Sequence, residues 1–328
     1  MMQWMILAML SLLTVCKKTD KGPDQGPDTP GKSDFRTVGY LMIHRTDLVS
    51  AASTIDWHKL THLNLAFVNP DSTGTFSVDP TLSAVVQMAH DNKVKVLMSL
   101  GGGSMPSWMN GLLTDIRRTA FIEAIGRVVD GYGLDGVDVD LEGSNIDEHY
   151  ASFVSGLSAA MVSRKKLLTA AVATWSGDAI PDAALTMFDF INIMSYDKTG
   201  PWNPSVAGQH APYDMAVSDL AYWGGRRGMP KTKLVLGMPF YGYGFGANQT
   251  TSTMSYRDIV SAYPGAENKD QVGLPDGETM YYNGIPTIRN KTTLALKEAR
   301  GVMIWELTQD AQGSRSLLSN INEVITQP

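Results

Sequence analysis

A single (β/α)8 TIM barrel is the fold class this sequence predicts, on three observations. Short β-rich runs alternate with segments of helical periodicity about eight times, at roughly 30 to 40 residues per alternation, which is what eight strand-and-helix units require. The chain has 328 residues, and barrels of about 250 residues and upward commonly fold as one domain. Its apolar content of 43% and charged content of 18% describe a chain able to bury a core.

Taken in order, the strand runs are Arg36 to Ile43, His62 to Val68, Val94 to Leu100, Gly136 to Leu141, Leu167 to Ala173, Phe190 to Ser195, Leu234 to Phe240 and Val302 to Trp305. Helical periodicity falls between them at Leu82 to Asp91, Asp115 to Gly131, Ile146 to Val162 and Asp214 to Arg227. Between Phe240 and Gly301 there is room for a small insertion after the seventh strand, a hairpin around Glu278 to Pro286, and too little chain for a large one.

The fourth run reads Asp135-Gly136-Val137-Asp138-Val139-Asp140-Leu141-Glu142. Side chains alternate between the two faces of a strand, so Asp138, Asp140 and Glu142 share one face and Val137, Val139 and Leu141 the other. Asp135 has the wrong parity to join them. Like charges this close and out of water cannot all ionise freely, so at least one proton is held at a raised pKa, as a general acid near neutral pH needs. A calcium loop would put Gly and polar residues where this run has Val, Val and Leu.

The same four acids have the form Asp-x-x-Asp-x-Asp-x-Glu, which resembles the signature of the family 18 glycosidases, the chitinase family. Ser99-Leu100-Gly101-Gly102 is similar to that family's Ser-x-Gly-Gly element, and Met194-Ser195-Tyr196-Asp197 to its Met-x-Tyr-Asp element. Gly237 to Gly242 resembles its seventh strand end, and Gly301 to Glu306 its last strand, which carries a Trp into the sugar site. The resemblance spans Phe35 to the C-terminus. Every one of these motifs ends a strand run, which is where a barrel enzyme carries its catalytic groups.

The resemblance implies that Glu142 protonates the glycosidic oxygen while the substrate's own 2-acetamido oxygen attacks the anomeric carbon, with no second catalytic carboxylate. On that scheme Asp140 orients the acetamide N–H, Asp138 shares a proton with Asp140, and Tyr196 donates to the acetamide oxygen. Trp305 would floor the sugar; Asp197, Met194 and Tyr241 would complete its binding, and Tyr40 and Ser99 would hydrogen-bond Asp138 from below. Trp108, Trp175, Trp202 and Tyr243 stand in loops on the catalytic side, as candidates to line neighbouring subsites. The implied substrates are chitin, chitooligosaccharides or other N-acetylglucosamine-containing glycans, and no cofactor is expected. A reduced insertion would leave a shallow groove suited to internal cuts or short oligomers. Two other readings stand beside the chitinase: an endo-β-N-acetylglucosaminidase acting on N-glycans, and a non-catalytic glycan-binding lectin, which Glu142 argues against.

Met1 to Val15 is almost wholly apolar, too short for a comfortable transmembrane helix, and reads as an export signal. Cys16 follows it, and Leu13-Thr14-Val15-Cys16 resembles a bacterial lipoprotein processing site, although Val15 is larger than usual there. Residues 16–33 would then be a lipidated Cys16 and a Pro- and Gly-rich linker, and 34–328 the catalytic barrel. The expected setting is the outer membrane or cell surface of a bacterium, with periplasm or medium as alternatives and the lipid as the membrane link. Cys16 is the single cysteine, so no internal disulfide forms. A net charge of −6 without a basic block argues against nucleic acid, and the six histidines have no metal-ligand spacing.

Overall fold

A computed structural model describes residues 34–77 and 79–327. Eight parallel strands close into a barrel in which neighbours in the chain are neighbours in the ring and the last strand pairs with the first. In chain order the first seven are β1 (Arg36–Met42), β2 (His62–Ala66), β3 (Lys95–Gly101), β4 (Gly136–Asp140), β5 (Leu167–Val172), β6 (Phe190–Ile193) and β7 (Leu234–Pro239). An insertion then supplies β8 (Tyr241–Phe245), β9 (Thr251–Ser255), β10 (Gln271–Gly273) and β11 (Thr279–Tyr281), and β12 (Gly301–Trp305) closes the ring. All eight predicted barrel strands are present, with ends that differ by one or two residues.

The helices are α1 (Leu48–Ser53), α2 (Leu82–Asp91), α3 (Met109–Leu113), α4 (Arg118–Tyr132), α5 (Tyr150–Arg164), α6 (Asp182–Met187), α7 (Tyr213–Leu220), α8 (Tyr256–Ala262), α9 (Ile285–Glu298) and α10 (Leu317–Thr326). Helix α4 shows the outer-layer rule: Phe121, Ala124, Ile125, Val128 and Val129 recur at helical spacing and are buried. It stops at Gly133, whose φ of +65° ends the helix in the left-handed region. The stretch expected to be helical from Asp115 begins at Arg118, since Asp115 stays outside and pairs with Arg118. Likewise α5 begins at Tyr150, because Asp147 accepts the amide of His149 in a turn before it, and α7 passes into a widened turn over Ala221–Arg226.

One expectation needs correcting. In place of a small hairpin at Glu278 to Pro286, the insertion is a four-stranded antiparallel sheet in the order β10, β11, β8, β9, with α8 between β9 and β10. Only the β10–β11 hairpin corresponds to the expected feature, and Pro286 already belongs to α9. Strand β9, Thr-Ser-Thr-Met-Ser, lies half-exposed and has no apolar alternation to announce it. The shallow groove inferred from a reduced insertion loses its ground, because this sheet stands beside the catalytic mouth.

On β4 the predicted parity holds. Val137, Val139 and Leu141 are buried in the layer between barrel and helices, while Asp138 and Asp140 are buried in the interior. Asp138 lies level with Ser99 on β3 and Thr169 on β5, a polar layer across the barrel. Gly101 explains part of the Ser-x-Gly-Gly element: its φ is +104°, and a Cβ there would lie 2.1 Å from the Asp140 carbonyl oxygen.

Candidate active site

Asp138 is fully buried and receives four side-chain donors. Tyr40 Oη (2.7 Å) and Ser99 Oγ (2.8 Å) donate to Oδ2; Thr169 Oγ1 (2.6 Å) and Asn192 Nδ2 (3.2 Å) donate to Oδ1. Burial raises its pKa and these four bonds pull it back, leaving it above the ordinary carboxylate value. Both oxygens are thereby occupied, and Asp138 makes no hydrogen bond to Asp140; the direct shared proton expected from the sequence is absent from this geometry.

Asp140, two residues on, has no such support. Its Oδ1 is buried and without a partner. Burial, then the charges of Glu142 and Asp138, hold its pKa well above the ordinary value. Of the two, Asp138, with four donors, is the better place for negative charge, and Asp140 becomes one only when a donor reaches its free oxygen.

Glu142 stands one step past β4 in extended conformation (φ −116°, ψ 147°), so the alternation carries it to the barrel's C-terminal mouth. It is half-buried and opens into a cavity of about 840 Å³ shared with Met194, Tyr196, Asp197, Trp175 and Trp202. Burial first and the Asp197 charge second raise its pKa. Proton donation at neutral pH needs this direction of shift.

Met194, Tyr196 and Asp197 follow β6. The Tyr196 hydroxyl is buried 3.8 Å from Met303 Sδ, with no stronger partner. Asp197 adopts φ +61° and is held through one oxygen: Tyr241 Oη donates to Oδ1 at 2.5 Å, and His210 Nδ1 lies 3.3 Å from the same atom. Trp305 ends β12 with its ring edge-on to Tyr40 (5.5 Å between centroids) and stacked on Phe67 (5.6 Å), which fixes its orientation; it is not among the residues lining that cavity. Trp175 and Trp202 are 74% and 61% exposed, free platforms at the cavity rim.

Two candidates lie elsewhere. Trp108 is half-exposed, with its Nε1 3.3 Å from the Pro70 carbonyl, and is not among the residues lining that cavity. Tyr243 is buried under Trp202 (5.6 Å, edge-on) and against His210 (4.8 Å), supporting the platform from below. Cys16 lies outside the described residues. Thr169, Asn192, Phe67 and His210 were not singled out in the sequence. The one signal for Thr169 and Asn192 was a lone polar residue at inward parity in an otherwise apolar run, too weak to single them out; His210, in a loop, carried none. Among the described residues no group of three or more His, Cys, Asp or Glu is placed to hold a metal ion.

The charge of Asp197 helps raise Glu142, so Asp197→Asn has a signed consequence. The amide removes one of the two causes, Glu142 deprotonates at lower pH, and the basic limb of kcat/KM moves down in pH. A limb that stays in place or moves up would show that Asp197 does not set the acid's titration.

A closed parallel barrel with a carboxylate row rising to its C-terminal mouth, where Trp305 ends the last strand, is the arrangement of a barrel glycoside hydrolase. The model of the glycosyl hydrolases family 18 matches residues 36–310, and the chain belongs to that family. A chitinase-like effector of Moniliophthora roreri is 32% identical, over 69% of this chain and 63% of that protein, so the chain spans less than two thirds of that relative's length. Among solved structures, the family 18 chitinase ChiB from the chitin utilization locus of Flavobacterium johnsoniae superposes with a TM-score of 0.81 at 36% identity, covering 89% of this chain and 94% of that one. A chitinase from Bacteroides thetaiotaomicron gives 0.76 at 30% identity, covering 89% and 96%.

Proposed function

We propose that this protein hydrolyses β-1,4 bonds between N-acetylglucosamine units of chitin or chitooligosaccharides, with retention of configuration and with the substrate's 2-acetamido group as nucleophile. One observation carries the reading: beside the half-buried acid Glu142 lies a buried carboxyl, Asp140, whose Oδ1 has no partner in the protein. An acetamide N–H on the bound sugar is the donor that such an oxygen lacks, and leaving it unpaired is costly.

The remaining carboxylates support the absence of a protein nucleophile. Asp138 is enclosed by four donors, and Asp197 is engaged by Tyr241 and His210. Asp138 has no oxygen left for an anomeric carbon or a water, and Asp197 keeps only Oδ2 outside its hydrogen bonds, which favours a nucleophile supplied by the sugar, as in the substrate-assisted exceptions. In the sequence of steps, Glu142 gives its proton to the glycosidic oxygen as the acetamide oxygen closes on the anomeric carbon, forming an oxazolinium ion. Asp140, drawn onto the acetamide N–H, balances the developing positive charge. Tyr196 Oη, which has only a thioether partner, turns to the acetamide oxygen. Glu142, now ionised, takes a proton from the water that opens the ring.

Chitotetraose and a high-mannose glycopeptide supplied together test the substrate. Chitobiose release with the glycopeptide intact is expected; cleavage of the glycopeptide alone would move the assignment to glycoprotein processing. Trp202→Ala is expected to raise KM for the longer oligomer about tenfold with kcat little changed, as loss of uniform binding does; a fall in kcat alone would place Trp202 in the chemistry. We also propose export with lipidation at Cys16: a labelled fatty acid should enter the wild-type chain in cells and not the Cys16→Ser variant, and an unlabelled wild type would contradict it.

A further inference from the structure

The barrel has two ends, and the reaction uses one of them. The opposite end, where the strands begin, gathers cations on a chain whose net charge is −6. Lys93 and Lys95 lead into β3, Lys165 and Lys166 into β5, and Lys297 and Arg300 into β12. None of these six makes an ion pair among the described residues; Lys93, Lys95, Lys165 and Lys297 are exposed, the other two half-exposed.

The acids of the same end are largely committed. Asp56, Asp130 and Glu298 pair with Lys59, Arg164 and Lys231. Asp135, the acid of wrong parity in the sequence, accepts the Val96 amide and faces His90, and Asp189 accepts the Leu168 amide. Asp91 is bonded by Gln87. Asp34 stands at the edge of a cleft of about 390 Å³ lined also by Arg36, His62, Thr232 and Arg300, and with Asp189 it supplies the negative charge acting on Arg36. Burial first and the neighbouring Arg300 second draw Arg36 below its ordinary pKa, against the opposing charges of Asp189 and Asp34.

The second observation is connectivity. Strand β1 starts at Arg36 on this end, so the described chain enters the barrel on the cationic side. We propose that this end of the barrel docks on a membrane surface bearing anionic lipid headgroups, with the catalytic mouth turned away from the bilayer. Unpaired lysines distributed around a ring suit a diffuse negative surface better than one compact ligand, and the attraction should weaken as salt shortens the Debye length from about 10 Å at 0.1 M. The inference is independent of which glycan the mouth cleaves.

The test uses the full chain carrying Cys16→Ser, so that no lipid anchors it, and its derivative with Lys93→Glu, Lys95→Glu, Lys165→Glu and Lys166→Glu. Both are co-sedimented with vesicles of phosphatidylcholine alone and of phosphatidylcholine with phosphatidylglycerol. The parent should bind the anionic vesicles about tenfold more strongly than the charge-reversed chain at low salt, with the difference vanishing at high salt. The two should bind the neutral vesicles equally, through the N-terminal segment they share, and cleave soluble chitooligosaccharides at the same rate, which shows that both are folded. Equal binding of the two chains to anionic vesicles would overturn the proposal, as would a difference seen with a soluble polyanion such as heparin and not with vesicles.

Discussion

Glu142→Gln should lose turnover of chitooligosaccharides by about 10²–10⁴-fold, the range of general acid–base catalysis, while the dissociation constant for an uncleaved oligomer stays nearly unchanged. The amide keeps the size of the side chain and its place at the end of β4, and removes only the proton that the leaving oxygen needs. Because the Glu142 side chain makes no hydrogen bond among the described residues, and its carbonyl keeps the Asn145 amide, the substitution leaves no partner stranded. Single-turnover kinetics together with calorimetric titration separate the two quantities. Retained activity would refute the role of Glu142 as acid, and equal loss of binding would indicate a collapsed site.

Asp140→Asn should act in opposite directions on rate and on stability. The rate falls by about 10²–10³-fold, the cost of removing one electrostatic group aimed at a charge that develops in the transition state. The fold gains. Burial and two neighbouring acids raise the folded pKa of Asp140 above 3.8, so the folded state holds this proton more tightly than the unfolded chain does. For a carboxyl shifted upward, stability falls as pH rises from the unfolded pKa through the folded one. At neutral pH the wild type therefore bears a penalty that the neutral amide does not. Thermal unfolding should show the variant more stable at pH 7, by about 2–4 °C for each kcal/mol relieved, with a flatter dependence on pH. A variant less stable than wild type at pH 7 would mean that Asp140 is paired in solution.

Much of this site was legible because strand parity is a strict rule. A single line of sequence separates Asp138, Asp140 and Glu142 from Val137, Val139 and Leu141, and the barrel keeps that separation. The same rule excluded Asp135, which sits at the strand's start bonding the Val96 amide. Parity also holds the reason for what was missed: Thr169 and Asn192 occupy inward positions of runs so apolar that one polar residue passes for noise, yet both donate to Asp138. His210 escaped because a loop has no period, and its place against Asp197 is set by contacts with the insertion, where its Nε2 faces the Tyr241 carbonyl at 3.3 Å. The insertion was underestimated because short, half-exposed strands such as β9 carry no apolar alternation and are held at a sheet edge by pairing with β8 alone.

The central claim is that the sugar's own acetamide, held by Asp140, is the nucleophile that Glu142 assists. Proton NMR of the first products from chitotetraose, recorded before mutarotation, tests it most directly. The account predicts that the new reducing end appears as the β anomer, since two displacements at one carbon restore its configuration. An α anomer as first product would contradict it, because it would mean a single displacement by water, activated by a protein carboxylate, in place of two displacements at the same carbon.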